Sequence, residues 1–351
     1  MSSELIPVTE ICRLAENVLH AAGTSRQVAA IVAAALVRAD LDGIASHGVL
    51  RLPYYAEHVA RGRVDGTAAP TTRRLAAGTA QVDARHGFAF PAIKAARQVA
   101  AELASATGIA CVGITRSHHA GALGHAVEDL AENGLIALMT ANSGPVLPGP
   151  GGKRPLLGTN PIAFGFPRRE APPLVIDMSV SIVARGSLAA AAARGERIPE
   201  GWALGPDGDP TTDPAVAMNG TLLAIGGAKG SALALALELL ASAASGAAFS
   251  HQNTSYFQLD GPRFSGGQFI LAIDPRRIGD DDFASRAEAL CGAVLAEEGV
   301  RLPGDRRLAN RARLTLTGIP VPSDLLRDLR RRAASAASLP AADNRLPAAL
   351  V

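Results

Sequence analysis

At 351 residues, 48% apolar and 19% charged, the chain is long for one hydrophobic core and has the composition of a folded globular protein. A net charge of +2 with well-mixed signs points away from nucleic acid and from anionic membrane as partners. Cys12, Cys111 and Cys291 show neither metal-type spacing nor a disulfide framework. No leader pattern and no apolar run of about 18 residues is seen, so a soluble cytoplasmic protein without a structural metal is expected.

In chain order, "PVTEICRLAENVLHAAG" has helical apolar spacing and stops at Gly23, and Thr24 and Ser25 offer caps for the helix "SRQVAAIVAAALVRAD". "DGIASHGVLRLPYY" follows. Ser46, His47 and Gly48 are expected to close a helix, and in helical phase His47, Arg51 and Tyr55 share one face. That face would combine a proton donor, a carboxylate clamp and an aromatic wall; an interface face is the alternative.

Residues 93–107 predict another helix, and "GIACVGITR" a strand ending near Thr115. Ser117, His118 and His119 then fall where the next helix should start, where free N–H groups favour a diphosphate. A plain cap with exposed histidines is the alternative. "LIALMTAN" reads as a strand entering the long loop "SGPVLPGPGGKRPLLGTNP", whose Thr159–Asn160 pair offers donors to a carboxylate unless it is only a turn.

"LVIDMSVS" reads as a strand with Asp177 at its end, either a ribose or nicotinamide contact or a helix cap. "WALGPDGDPTTDP" reads as an exposed connector. "GGAKGSA" is a glycine turn with a lysine before an apolar helix, a phosphate contact. "GGQFILAIDP" is a strand, "RLPGDRR" flanks a Pro-Gly turn with arginines, and the last quarter, including "DLLRDLRRRAASAA", is helical. "GALGHA" gives only G-x-x-G, and Leu147 and Arg154 break the P-loop pattern, so neither a Rossmann nor a P-loop site is expected.

In this order "DGIASHGVLRLPYY", "SHHAGALGHA", "GGKRPLLGTNPIAF", "VIDMSVS", "GGAKGSAL", "AIDP" and "RLPGDRR" resemble the malate/L-lactate dehydrogenase family that is unrelated to the Rossmann enzymes. Within it, "RSHH", "GAAFS" and "RLPGDRR" look most like the Δ1-piperideine-2-carboxylate/Δ1-pyrroline-2-carboxylate reductases, which use NADPH. The resemblance implies an α/β fold with a non-Rossmann nucleotide-binding domain on a mixed, largely antiparallel sheet. The expected organisation is a helical domain over 1–75, a cofactor domain over 76–305 and a helical segment over 306–351 packing on the first, in a homodimer.

The resemblance also assigns roles. His47 is the proton donor with Ser46 beside it, and Arg51 and Thr159 hold the substrate carboxylate. His119, Ala120, Gly121, Ala122 and Leu123 surround the cofactor together with Asp177, Met178, Ser179, Arg185, Gly186, Ala228, Arg301, Leu302, Pro303, Gly304, Asp305 and Arg306. In hydroxyacid-oxidising members the histidine matching His119 is the base. Ser187 stands where those members carry lysine and the imine reductases an aspartate; a hydroxyl relays a hydrogen bond but does not stabilise an imidazolium as a carboxylate does. Arg185, Arg306 and Arg307 favour NADPH over NADH. The expected activity is reduction of a cyclic 2-imino acid, against a 2-hydroxyacid or ureidoglycolate dehydrogenase or a cofactor binder with little turnover.

Overall fold

The computed structural model describes residues 2–279 and 282–334. A seven-stranded sheet runs in the order Thr71–Ala76, Thr79–Asp83, Ile109–Ser117, Gly266–Ile273, Ile136–Ala141, Ile162–Phe166 and Leu174–Met178. Only Thr79–Asp83 with Ile109–Ser117 is parallel; the other pairs are antiparallel. The expected mixed, largely antiparallel sheet is therefore present, and its order has no doubly wound switch point. Val82, Val112, Ile114, Met139 and Ile270 form its core with Ala96, Ala100 and Leu103 of helix Ala89–Thr107 and Val127 and Leu130 of helix Gly124–Glu132. Small side chains let these helices lie close: a Cβ at Gly165 would stand 2.3 Å from the Val127 carbonyl oxygen.

Near the chain ends, Ser3–Ile6 pairs antiparallel with Ile319–Pro322. Helices Val8–Ala21, Arg26–Leu41, Leu52–Ala60 and Ser323–Ala334 share a second core of Ile11, Leu19, Val32, Leu36, Leu52, Leu326 and Leu329. The basic helix is described to Ala334; residues 335–351 of the expected C-terminal segment lie outside the described residues. A third core, around Leu147, Val180, Leu188, Leu222 and Leu237, supports three short strands, Ala203–Leu204, Pro210–Thr211 and Thr221–Leu222. The expected exposed connector is thus a hairpin with Ala203 and Leu204 buried, because its apolar end has a core to enter.

Charged groups join these layers. Buried Asp42 and Glu128 face Arg307 and Arg311; Arg38 also pairs with Glu128, and His125 meets Asp42 at 3.0 Å. Burial opposes the charge of both carboxylates, but their hydrogen bonds prevail: Asp42 lies well below the usual carboxylate range and Glu128 is brought down to about 2. Arg307 is therefore engaged inside the fold and not available to a cofactor phosphate, contrary to expectation.

Two local expectations are corrected. Residues 45–51 do not continue a helix; Ala45–His47 and Val49–Arg51 are separate 3-10 turns with extended backbone at Gly48 between them. The Val49 N–H donates to buried Asp40 at 2.8 Å, and a Cβ at Gly48 would stand 1.9 Å from the Asp40 carboxylate, so the chain bends around that group. The strand expected to end at Thr115 runs on to Ser117, held by pairing with Gly266, and the next helix starts only at Gly124. His118 and His119 therefore lie in a loop.

Candidate active site

The bend at Gly48 and the loop 118–123 bring a cluster of polar side chains together. Ser46 Oγ lies 2.9 Å from His47 Nδ1, and the His47 ring stacks on His119 at 5.3 Å and 24°. His119 Nδ1 lies 2.8 Å from the Tyr55 hydroxyl, and the Tyr256 ring meets His119 edge-on at 4.9 Å. Arg51 Nε donates to the Ser46 carbonyl at 2.6 Å while its guanidinium sits 4.6 Å above Phe257. Among the described residues no carboxylate pairs with Arg51, which leaves its terminal nitrogens for an incoming anion.

Burial, then the Arg51 charge, brings the His47 ring down to about 4 and holds His119 well below its ordinary value. Both imidazoles are therefore neutral near pH 7.

Helical phase alone did not indicate what closes this cleft. Arg63 is 1% exposed and has only neutral partners: the Gln258 carbonyl, Thr254 Oγ1 and, at 3.2 Å, the Pro262 carbonyl. It thereby ties residues 254–264 down and sets Tyr256 against His118 and His119 and Phe257 against Arg51. Behind His119, buried His118 Nε2 lies 3.1 Å from His58 Nδ1, whose other nitrogen is 2.9 Å from the Gln258 carbonyl. The aromatic pair in "NTSYFQLDGPRF" was the available sequence signal, with nothing local to say where it lands.

Thr159 is half-buried; its N–H donates to Ser143 Oγ at 3.2 Å and its side chain remains unengaged. Asn160 does not join it as a ligand donor. It is fully buried at φ 37°, and its amide donates to the Ala234 carbonyl and to Glu238. Ser187 is exposed on the first turn of helix Arg185–Arg194 and makes no hydrogen bond with Ser46 or His47.

The other expected cofactor residues form a connected surface. Asp177 accepts the Gly124 N–H at 2.7 Å, which sets the Asp177–Met178–Ser179 run against the end of the His119–Leu123 loop. Asp177 thus also serves as the helix cap that was its alternative reading. Gly304 approaches the Val175 carbonyl on that strand, and Asp305 accepts the Leu302 N–H at 2.7 Å to shape the turn. Leu302 is buried, while Arg301, Pro303 and Arg306 are exposed. The Ser181–Ala224 bridge brings the Gly226–Gly227 turn and Ala228 beside this run; Arg185 donates to the Met218 carbonyl, with Gly186 exposed next to it.

Gly226 and Gly227 both have φ 60° and open space where a Cβ would stand, ahead of the exposed N-terminus of helix Ala228–Glu238. Positive-φ glycines and the free amides of the helix start make a donor set that fits a dinucleotide's phosphates.

Residues 6–330 match the family model described as malate/L-lactate dehydrogenase. A (2R)-3-sulfolactate dehydrogenase (NADP(+)) of Chromohalobacter salexigens is 44% identical, covering 95% of this chain and 99% of its own. A Δ1-pyrroline-2-carboxylate/Δ1-piperideine-2-carboxylate reductase of Pseudomonas putida is 40% identical over 93% of this chain and 96% of its own. The crystal structure of Δ1-piperideine-2-carboxylate reductase from Pseudomonas syringae superposes with a TM-score of 0.88 at 38% identity, covering 94% of this chain and 99% of that one. With the family model matching residues 6–330 and a relative 40% identical over 93% of the chain, the chain belongs to the malate/L-lactate dehydrogenase family.

Proposed function

We propose that this protein is an NADPH-dependent reductase of cyclic 2-imino acids, converting Δ1-piperideine-2-carboxylate or Δ1-pyrroline-2-carboxylate to L-pipecolate or L-proline. The observation that carries the reading is the cleft in which Arg51 faces no carboxylate beside two neutral, stacked histidines. The similarity to proteins named as these reductases supports it.

Arg51, with Thr159, holds the substrate carboxylate, which fixes the ring carbon relative to the histidines and converts binding into orientation. Ser46 orients His47, and His47 moves the proton at the ring nitrogen. Tyr256 and Phe257 exclude water from the cleft. NADPH, held by residues 119–123, 177–179, 185–186, 228 and 301–306, supplies the hydride; NADH is the alternative donor. Without a carboxylate partner at position 187, a protonated His47 is stabilised by the Ser46 hydroxyl and by substrate.

Helix Ala228–Glu238 and the turn after it expose Leu235, Leu239 and Leu240 along one side, an apolar face suited to a second copy in a homodimer. The three cysteines are free, in keeping with a cytoplasmic location, and among the described residues no helix is long and apolar enough to cross a membrane. We assign Ser46, His47 and Arg51 to the unit expected over 1–75 and 306–351, and the cofactor to the unit expected over 76–305.

NADPH consumption with each cyclic imine and with pyruvate, side by side, tests the reading. Turnover of a cyclic imine is expected, and turnover of the keto acid alone refutes it. The second reading is a 2-hydroxyacid dehydrogenase, favoured by the 44% identity to the protein named (2R)-3-sulfolactate dehydrogenase; NADP-dependent oxidation of that hydroxy acid without imine reduction would establish it.

A further inference from the structure

We propose that Tyr55 is a positioning residue that fixes the tautomer of His119, so that His119 presents an Nε2–H donor to substrate and is not a proton-abstracting base. The consequence for chemistry rests on the reductase reading above; the tautomer itself does not.

Tyr55 is 1% exposed on helix Leu52–Ala60, with its ring wedged 5.4 Å from Phe88 and 5.0 Å from His118. Among the described residues its hydroxyl has one partner, His119 Nδ1 at 2.8 Å. If the phenol donates, its proton is satisfied and Nδ1 acts as acceptor. If His119 donated instead, the phenol proton would stay buried without an acceptor, the costlier arrangement. Burial also pushes the Tyr55 hydroxyl well above its ordinary value, so the proton stays on the phenol at neutral pH. A neutral imidazole that accepts at Nδ1 carries its hydrogen at Nε2. His119 Nε2 has no partner among the described residues and is not among the enclosed unpaired atoms, so this N–H is available to a ligand.

The neighbouring pair follows the same rule. The Gln258 carbonyl can only accept, so His58 donates from Nε2; His58 Nδ1 then accepts, and His118 donates from Nε2. One tyrosine and one carbonyl thus set three histidines to the same tautomer. For His119 to take a proton from a substrate hydroxyl, its ring hydrogen would have to move to Nδ1, which reverses the Tyr55 bond and leaves the phenol proton without an acceptor. An Nε2–H instead suits donation to the substrate, which is the demand of reduction and not of hydroxyacid oxidation.

The test is nitrogen-15 NMR of the full chain labelled at histidine, with and without NADPH, His119 being assigned by its loss in His119→Gln. The wild type should show a bare Nδ1 and a protonated Nε2, and Tyr55→Phe should show a mixture. A protonated Nδ1 in the wild type overturns the proposal, as does an unchanged spectrum in a folded Tyr55→Phe. The wild-type spectrum decides the tautomer even if Tyr55→Phe does not fold or the protein turns over no imine. With activity present, Tyr55→Phe should lower kcat for the imine about 5- to 20-fold with KM within about threefold, because the loss is of orientation and not of carboxylate binding. A larger change in KM than in kcat would refute the positioning role.

Discussion

Replacing Arg51 with alanine tests the centre of the functional reading. Its Nε is already engaged by the Ser46 carbonyl at 2.6 Å, so substrate meets the two terminal nitrogens. Two charge-assisted hydrogen bonds contribute about 1.5–3 kcal/mol each, and partial solvent access to this half-buried side chain argues for the low end, about 3–4 kcal/mol together. At about 1.4 kcal/mol per factor of ten, KM for a cyclic imino acid should rise by about 150- to 700-fold. Loss of the Nε bond loosens the Ser46–His47 turn as well, so kcat should also fall, by less than KM rises. The assay is initial-rate NADPH consumption over a range of imine concentrations, with Arg51→Lys retaining charge but not the fork and falling between the two. A KM within threefold of wild type in Arg51→Ala would remove Arg51 from the clamp and with it the assignment of this cleft to a carboxylate substrate.

Gly48→Ala forces a Cβ to within 1.9 Å of the buried Asp40 carboxylate; thermal melts should show a loss of about 1–3 kcal/mol, and kcat/KM should fall at least about tenfold as His47 shifts. Glu128→Gln leaves buried arginine charge from Arg307 and Arg311 without half of its compensation; denaturant titration should show a loss of about 3–5 kcal/mol. His47 and His125 are both brought down to about 4, mainly by burial, so the unfolded chain takes up their protons first as pH falls below about 6.5. Stability is therefore intact above that pH and is lost on the way down to about 4. Allowing for partial solvent contact at His47, urea titrations at pH 7 and pH 5 should differ by about 3 kcal/mol from these two groups, and equal midpoints would contradict the burial argument.

Much of the fold was legible because its signals are local. Ser25 caps the second helix through the Val28 N–H, as its position suggested, and the helices over 8–41 follow their apolar spacing. What escaped depends on partners far along the chain. The bend at Gly48 exists because Asp40 claims the Val49 amide, and no spacing rule marks an aspartate inside an apolar helix as a template for the next turn. Arg306 and Arg307 are chemically equivalent in sequence, yet helical phase turns Arg307 toward Glu128 and leaves Arg306 exposed. His47, Arg51 and Tyr55 were grouped on the premise of one continuous helix. They do meet around His119 and Phe257, but by way of two short turns and a loop pinned by Arg63. Residue chemistry was readable; its placement required the tertiary bend.

His47, the proposed proton donor, is unprotonated in the free protein, and the charges around it indicate how substrate changes that. After burial, the largest contribution keeping His47 neutral is the positive charge of Arg51, which acts on His119 too. A carboxylate on Arg51 cancels that field, so His47 should rise from about 4 toward its ordinary value as substrate binds, arming the donor only when there is something to protonate. At about pH 6.5 cyclohexene-1-carboxylate is ionised, and it has the planar ring of the imine without the titrating nitrogen, so almost any proton exchanged belongs to the protein. Calorimetry of its binding at that pH, in two buffers of different ionisation enthalpy, should show net uptake of a fraction of one proton per site. Arg51→Gln, which lacks the charge, should show none. Net proton release in the wild type, or equal uptake in both proteins, would mean that Arg51 does not control His47 and that the proton reaches the substrate from another group.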